Sequence, residues 1–379
     1  MPGPIVILAS GFLIGCVLTA LLPIRNKLRT AGKSWNTPRH RRDIMGNAIE
    51  QRLLHGPNFV CIGGGTGLST LLSGLKGFTR NITAVVAVTD EGGSSGRLRQ
   101  EWGVLPPGDI RNCLVSLAEN DNSLNRILNF RFDRGELNGH NLGNLILLAA
   151  CELTGDFSKA VEELNKLLAI RGRVLPVTTE TVVLHGETVD GRTVKGELEL
   201  SDNGSLMKRM WLEPSSAKPL SDVIDAISGA DMIVLGPGSL FTSILPNLLL
   251  EEVTVAIRNS PMPKVYVANL MTQKNETETM NITAHLDWIS SVLGEMPDYI
   301  VVNHTPIPED YLLRYRERGA EPLYLSREEE LYLERNDCAI VSADLVNIKD
   351  GKYLRHHSQN LAEILMRIAR DSRENNLFE

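Results

Sequence analysis

Cysteine is scarce in this chain, and the few cysteines present are not arranged in pairs. The 379 residues contain five, with no C-x-x-C spacing among them: Cys16, Cys61, Cys113, Cys151 and Cys338. A disulfide-stapled secreted scaffold needs a regular ladder of paired cysteines. We therefore expect free thiols in a reducing compartment.

The chain also lacks the basic surplus of a nucleic-acid-binding protein. Its net charge is −7, while its 42% hydrophobic and 22% charged residues are typical of globular proteins. No internal repeat and no low-complexity tract occurs. These features argue against a nucleic-acid partner for most of the chain and predict a packed domain.

Positive charge is concentrated at the start of the chain. Residues 1–55 hold eight Lys or Arg and two Asp or Glu. The first charged residue, Arg25, follows an apolar stretch at 5–24 that would span about 30 Å as a helix, the thickness of a bilayer core. No basic segment precedes it, as a signal peptide would require. The pattern favours a membrane helix over a cleaved leader.

These observations predict three segments. Residues 1–25 form a transmembrane anchor, 26–56 a basic linker and 57–379 a globular domain. Because the basic residues follow the apolar stretch, the positive-inside rule places the domain at the cytoplasmic face of the cell membrane.

The globular part opens with a strand, a glycine turn and a helix. Apolar residues 59–62 precede glycines at 63, 64, 65 and 67, and leucines then recur at helical spacing. Bare backbone N–H groups at such a helix start can bind an anion. The turn matches neither G-x-G-x-x-G nor the P-loop. The alternative is a tight turn that uses glycine for its backbone freedom.

A second apolar strand, 82–88, is followed by a stretch that cannot build a core. Asp90 lies just beyond the strand, where ligands bind in open α/β sheets. The following loop offers glycines, hydroxyls and an arginine suited to phosphate: Gly92, Gly93, Ser94, Ser95, Gly96 and Arg97. We expect this loop to be mobile without ligand. A helix from 110 to about 119 follows, and Asp109 either caps it or contacts ligand.

Further polar residues follow other predicted strands or precede predicted helices. A second glycine turn at 236–239 suits the second phosphate of a diphosphate. Asn141 either caps a helix or meets ligand, and Arg355 could reach a phosphate. The adjoining His356-His357 pair lacks metal spacing and is predicted to lie in a solvated loop. A β-rich insertion at about 172–213, with a hairpin turn at Asp190-Gly191, covers the site or forms an oligomer contact.

Six motifs closely resemble one bacterial family from about residue 58 onward. They read GGGTGLSTLLSGLK, VTDEGGSSGRLR, LPPGDIRNCL, GHNLGNL, LGPGSLFTSILPNLL and NLMTQ. The chain is thereby similar to the YvcK-like proteins, or gluconeogenesis factors, of the CofD-like (2-phospho-L-lactate transferase) superfamily. The resemblance implies an α/β, Rossmann-like parallel sheet with the small β-rich insertion and a nucleotide site across the strand ends.

The resemblance also implies ligands. YvcK-like proteins are associated with UDP-sugars, notably UDP-N-acetylglucosamine, and with carbon metabolism, cell shape and wall synthesis. The transferases use a divalent metal, and Asp90 matches their metal region. One acid is a poor site by itself, so no metal is assigned and Mg²⁺ at Asp90 stays an open alternative. The expected ligand-binding residues are Gly63, Gly64, Gly65, Thr66, Gly67, Asp90, Gly92, Gly93, Ser94, Ser95, Gly96, Arg97, Asp109, Arg111, Asn112, His140, Asn141, Asn144, Gly236, Gly238, Ser239, Thr242, Asn269, Thr272 and Arg355.

Two functions follow from these observations. The first is a nucleotide-sugar sensor whose conformation a regulatory partner reads. The second is a metal-dependent CofD-type transferase, although no Ser-His-Asp or Cys-His constellation supports nucleophilic catalysis. The sequence leaves open the partner, the oligomeric state and the exact sugar.

Overall fold

The computed structural model describes residues 48, 50–119, 122–349, 351 and 353–376. The predicted anchor at 5–24 and most of the linker at 26–56 lie outside the described residues. The described residues of His55–Glu379 form one compact unit. Among the described helices, none is by itself both long and apolar enough to cross a membrane.

Strands occur along the whole described domain. In chain order they are β1 Phe59–Gly63, β2 Ile82–Val86, β3 Arg173–Pro176, β4 Val183–Thr188, β5 Thr193–Lys195, β6 Met207–Glu213, β7 Met232–Leu235, β8 Lys264–Val267, β9 Tyr299–Asn303, β10 Ala339–Ala343, β11 Val346–Lys349 and β12 Tyr353–His356.

Helices connect these strands. They are α1 Gly65–Leu75, α2 Gly93–Trp102, α3 Gly108–Leu117, α4 Asn122–Leu128, α5 Leu142–Thr154, α6 Phe157–Leu167, α7 Glu197–Asn203, α8 Ser221–Ser228, α9 Leu245–Leu248, α10 Glu251–Asn259, α11 Ile282–Leu293, α12 Glu309–Arg316, α13 Arg327–Arg335 and α14 Ser358–Asn376. A 3₁₀ turn spans Gly204–Leu206, and a π-helical turn, Leu240–Ile244, leads directly into α9.

The core is a seven-stranded parallel sheet in the order β10-β9-β8-β7-β1-β2-β3. Every residue of β1, β2, β7 and β8 is buried, as expected for apolar strands covered on both faces. From β1 the chain builds outward to β3 and then continues on the other side with β7. This reversal is the Rossmann pattern and confirms the predicted fold class. It opens a crevice at the carboxyl ends of β1 and β7.

The β-rich insertion is a separate three-stranded antiparallel sheet in the order β5-β4-β6. Gly191 lies at the predicted hairpin turn with φ +83°. The boundary expected at 172 needs correction, because β3 pairs with β2 in the central sheet. The short, mostly apolar sequence of β3 does not reveal whether this strand pairs with the central sheet or with the hairpin that follows it.

The stretch after β2 also differs from the prediction. A mobile loop was expected at 92–97, yet α2 begins at Gly93 and both Ser94 and Ser95 are 4% exposed. The following α3 begins at Gly108, two residues before the predicted start. The glycines of this stretch permit close packing: a Cβ at Gly96 would collide with the carbonyl group of Glu91. Composition alone did not reveal that packing.

Candidate functional site

The first glycine turn leads from β1 into α1 at the sheet reversal. Gly65 has φ +64°, and a Cβ at Gly64 would lie 2.5 Å from Asp109 Oδ2. No side chain caps α1. Asp109 accepts the N–H of Gly65, whereas the N–H groups of Thr66 and Gly67 have no acceptor within the described chain. Two backbone donors at a helix N-terminus are thus available to an anion.

These donors lie in a cleft of about 320 Å³ beside the ends of β1, β7 and β8. Nine predicted site residues line it: Gly64, Gly65, Thr66, Gly67, Gly238, Ser239, Asn269, Thr272 and Arg355. Gly63 and Gly236 stand just behind them, where β1 ends and β7 has just ended.

The cleft has further walls that sequence reasoning did not assign to the site. They are Thr70, Pro237, Ser243, Leu270, Met271, Gln273, Tyr315, Leu354 and His356. The NLMTQ motif contains three of them and could have revealed those three. Tyr315, on α12, carried no local signal, because only the fold brings that helix to the cleft.

The solvated loop predicted for His356 was wrong. His356 ends β12, is 6% exposed, and its Nε2 lies 3.0 Å from the Ala268 carbonyl oxygen. Burial lowers the pKa of His356 to about 4, so the ring is neutral near pH 7. It forms part of the cleft wall, while the neighbouring His357 accepts the N–H of Asn360 at the start of α14.

Protein acceptors engage several donors of the second glycine turn. Gly238 N–H donates to Asn269 Oδ1 at 3.2 Å, and Asn269 Nδ2 donates back to the Gly238 carbonyl at 2.8 Å. The buried carboxylate of Glu276 accepts the N–H of Phe241 at 3.0 Å and the hydroxyl of Ser239. Ser239 in turn accepts the N–H of Thr242. Glu276 thus accepts two of the hydrogen bonds at this turn, and a phosphate role for the turn stays a prediction.

A second group of predicted residues forms a buried polar network rather than the cleft wall. Ser94 Oγ lies 3.2 Å from His140 Nδ1 and accepts hydrogen bonds from Asn141 N–H and Asn144 Nδ2, both at 3.3 Å. Asn141 caps α5 by accepting Asn144 N–H at 3.2 Å, which was one of the two roles predicted for it. Ser94 thus joins α2 to the start of α5.

The predicted phosphate arginines belong to the same neighbourhood. Arg111 is 9% exposed and donates to Asn144 Oδ1 at 3.2 Å and to Asn129 Oδ1 at 2.6 Å. Burial, and then the charge of Arg131, lowers the pKa of Arg111 to about 10. Arg97 donates to the Asn138 carbonyl oxygen at 2.9 Å. Neither arginine lines the cleft, and both are held by groups of the protein itself.

Three acids meet behind the first glycine turn. Burial, and then the charge of Asp90, raises the pKa of Asp109 to about 6. Burial, and then the charges of Asp90 and Asp109, raises the pKa of Glu197 to about 7. Asp109 lies within α3 and accepts from Gly65 and Asn112, so it does not cap that helix. Packing is tight here, since a Cβ at Gly108 would lie 3.1 Å from Asp90 Oδ2.

Glu197 comes from the β-rich insertion, and sequence reasoning missed it. Its carboxylate accepts Glu91 N–H at 3.0 Å, and Glu91 Oε2 accepts Glu197 N–H at 3.1 Å. This reciprocal pair fixes the start of α7 beside the start of α2. The insertion thereby contributes an acid close to the glycine turn.

Within the part of the chain that the structure describes, no group of three or more His, Cys, Asp or Glu side chains has a geometry that could hold a metal ion. Burial raises the pKa values of Asp109 and Glu197, because it disfavours the charged carboxylate. Mg²⁺ is commonly held by one or two carboxylates together with ligand phosphates, so Mg²⁺ at Asp90 stays an open alternative.

This chain is similar to known proteins. The family model described as 2-phospho-L-lactate transferase CofD matches residues 59–346. The chain belongs to the CofD family. It is 41% identical to the gluconeogenesis factor of Bacillus subtilis, with 83% of this chain and 99% of that protein aligned. It is 42% identical to the gluconeogenesis factor of Halalkalibacterium halodurans, over 82% and 95% of the two chains.

A solved structure shares the fold. The crystal structure of a UPF0052 family member from Bacillus halodurans matches with a TM-score of 0.78 and 41% identity, over 83% of this chain and 99% of that one. The predicted resemblance to gluconeogenesis factors is therefore confirmed.

Proposed function

We propose that the cleft binds a nucleotide sugar through its diphosphate, of the UDP-N-acetylglucosamine type. The observation that carries the proposal is the pairing of two acceptor-free N–H groups, of Thr66 and Gly67, with the guanidinium of Arg355 in one cleft. Helix N-termini and arginine are the two groups that proteins use most directly for phosphate. The cleft also lies at the sheet reversal, where nucleotides bind in this fold class.

The two phosphates have separate partners in this proposal. One accepts from the amides at the start of α1, and the other pairs with Arg355. This arrangement differs from the predicted one, in which both glycine turns bind a phosphate. The Glu276 carboxylate already accepts hydrogen bonds at the second turn. Gln273 is exposed, and its side-chain amide has no hydrogen bond within the described chain, so it is free to meet the sugar or the base.

We propose a regulatory role for this binding, linking carbon metabolism to cell shape and cell-wall synthesis. Support comes from the relatives, which are named gluconeogenesis factors. Ligand binding would shift the population of a conformation that a partner protein reads.

A transferase is the second candidate, because the matching family model carries that name and three acids lie behind the glycine turn. Prolonged incubation with UDP-N-acetylglucosamine and magnesium distinguishes the two candidate functions. Unchanged ligand supports the regulator, and a released nucleotide or transferred group supports the enzyme.

Hydrogen exchange with mass spectrometry tests the binding site itself. UDP-N-acetylglucosamine should protect the amides of Thr66 and Gly67 and raise the melting temperature, and UMP should do so less because it has one phosphate. Protection confined to the network around Ser94, or equal protection by UMP, would reject the placement.

The predicted anchor remains part of the proposal. We propose that residues 5–24 hold the domain at the cytoplasmic face of the membrane, because their apolar length matches a bilayer. The full chain should sediment with membranes and resist salt extraction, and deletion of residues 1–25 should release it. Full-length protein in the soluble fraction would contradict the anchor.

A further inference from the structure

A second, smaller pocket adjoins the cleft. Its volume is about 280 Å³, and its lining consists of Arg314, Tyr315, Arg318 and Tyr353. Tyr315 lines both the pocket and the cleft, so the two spaces are neighbours. The Tyr315 hydroxyl accepts the N–H of Leu354 at 3.1 Å, which holds the ring between α12 and β12.

The pocket is strongly positive. Within the described chain, neither Arg314 nor Arg318 has a carboxylate within ion-pair distance. Arg314 is positioned by its Nε, which donates to the Asp310 carbonyl at 3.1 Å, and by the ring of Tyr311, 4.1 Å from its Cζ. Arg316, between them in sequence, is instead paired with Glu321 at 2.9 Å.

Arg355, which the proposed function assigns to a phosphate, lies beside this pocket. Arg355 follows Leu354 on β12, and its Cζ lies 5.4 Å from the ring centre of Tyr353, a wall of the pocket. A ligand held by Arg355 can therefore extend past Tyr315 toward two further guanidinium groups. Unpaired arginines beside aromatic rings suit a planar anion that accepts forked hydrogen bonds.

We propose that this pocket is an anion subsite, and that the cleft prefers diphosphate ligands whose distal part carries an extra negative charge. This inference rests on the proposed function. The charge could come from the carboxylate of an acidic sugar or from a third phosphate, which share the chemistry that Arg314 and Arg318 recognise.

The test measures dissociation constants by calorimetry for UDP-glucose, UDP-glucuronate and UTP with the full-length chain. We expect UDP-glucuronate, UTP or both to bind about tenfold more tightly than UDP-glucose. Tighter binding of one alone identifies the carboxylate or the phosphate as the source. The increment should shrink as salt concentration rises, because both arginines are exposed.

Variants locate the preference. The double change Arg314→Ala with Arg318→Ala should abolish the increment and leave UDP-glucose binding unchanged. Arg316→Ala, on the same helix but paired with Glu321, should retain it. Equal binding of all three ligands, or an increment that survives the double change, overturns the subsite alone. Failure of every UDP compound to bind overturns the proposed function as well, and matching melting temperatures show that the variants fold.

Discussion

The backbone of Gly67 lies against the carbonyl group of Pro237, so the two glycine turns of the cleft touch each other. A Cβ at Gly67 would lie 2.8 Å from the Pro237 carbonyl carbon and 3.1 Å from Gly238 N. These contacts involve backbone atoms that cannot rotate away. The close approach sets the width of the cleft at its base.

Gly67→Ala should therefore destabilise the protein by roughly 1–3 kcal/mol, the usual cost of overpacking a tight site. Gly238→Ala is the matched control, because its Cβ would meet only ordinary contacts, 3.4 Å from Gly64 O and 3.5 Å from Ser243 Cβ. Urea unfolding measures both. Equal free energies of unfolding would show that the turns can separate without cost.

Alanine variants of Arg111 and Arg355 should have different effects, the first on stability and the second on ligand binding. Arg111→Ala leaves the buried side-chain oxygen of Asn144 without its donor, removes the hydrogen bond to the exposed Asn129, and should cost about 1–3 kcal/mol of stability. Its effect on ligand affinity should be small, because Arg111 does not line the cleft.

Arg355→Ala should leave stability nearly unchanged, while affinity for UDP-N-acetylglucosamine should fall about 10- to 100-fold. Thermal melting measures the stability of both variants, and calorimetry measures their affinity for the ligand. An Arg111 variant that is stable but fails to bind would show that Arg111 contacts the ligand.

We expect the Glu276 carboxylate to stabilise the second glycine turn through its hydrogen bonds. Glu276→Ala removes the acceptor for Phe241 N–H and Ser239 Oγ and should cost roughly 1–3 kcal/mol. Glu276→Gln keeps an acceptor oxygen and should cost less. Glu278→Ala, at an exposed neighbour that accepts Asn275 N–H, is the control. If Glu276→Ala melts like the Glu278 variant, the carboxylate does not hold this turn.

Asp109 should make stability depend on pH in a definite direction. Its pKa is raised to about 6 from the ordinary 3.8, so the folded state holds the proton more tightly than the unfolded chain. Its contribution to stability therefore falls as pH rises from about 4 to 6, and the cost is complete above about pH 7. Asp109→Asn should raise the melting temperature relative to the native protein more at about pH 8 than at about pH 5. An equal difference in melting temperature at the two pH values would show that ionisation of Asp109 does not destabilise the folded protein.

Much of the fold could be predicted from local patterns. The runs that became β1, β2 and β7 are apolar except for Thr83 in β2, and such runs are stable only when both faces are covered. The glycine turn after β1 and the hairpin at Gly191 follow from backbone conformations that glycine favours. The resemblance of six motifs then specified the family.

Other features depended on contacts between distant residues. The local pattern predicted a phosphate turn at Gly236–Ser239, but it did not reveal that Glu276, 37 residues beyond Ser239, accepts the Ser239 hydroxyl there. The pattern around Arg111 likewise favoured a ligand contact, but Asn129 and Asn144 hold that side chain. A side chain's type shows which hydrogen bonds it can make, whereas the tertiary structure decides which partner is close enough to make them.

The sequence by itself determined strands β1, β2 and β7, the glycine turn and the order of the motifs, because these depend on residues that are neighbours in the chain. Tertiary structure alone decided that Thr66 and Gly67 keep free donors, that Tyr315 and Arg355 share their cleft, and that Glu197 stands behind it. Those relationships join the glycine turn to residues more than a hundred positions away. They exist only because the parallel sheet brings the ends of its strands to one edge.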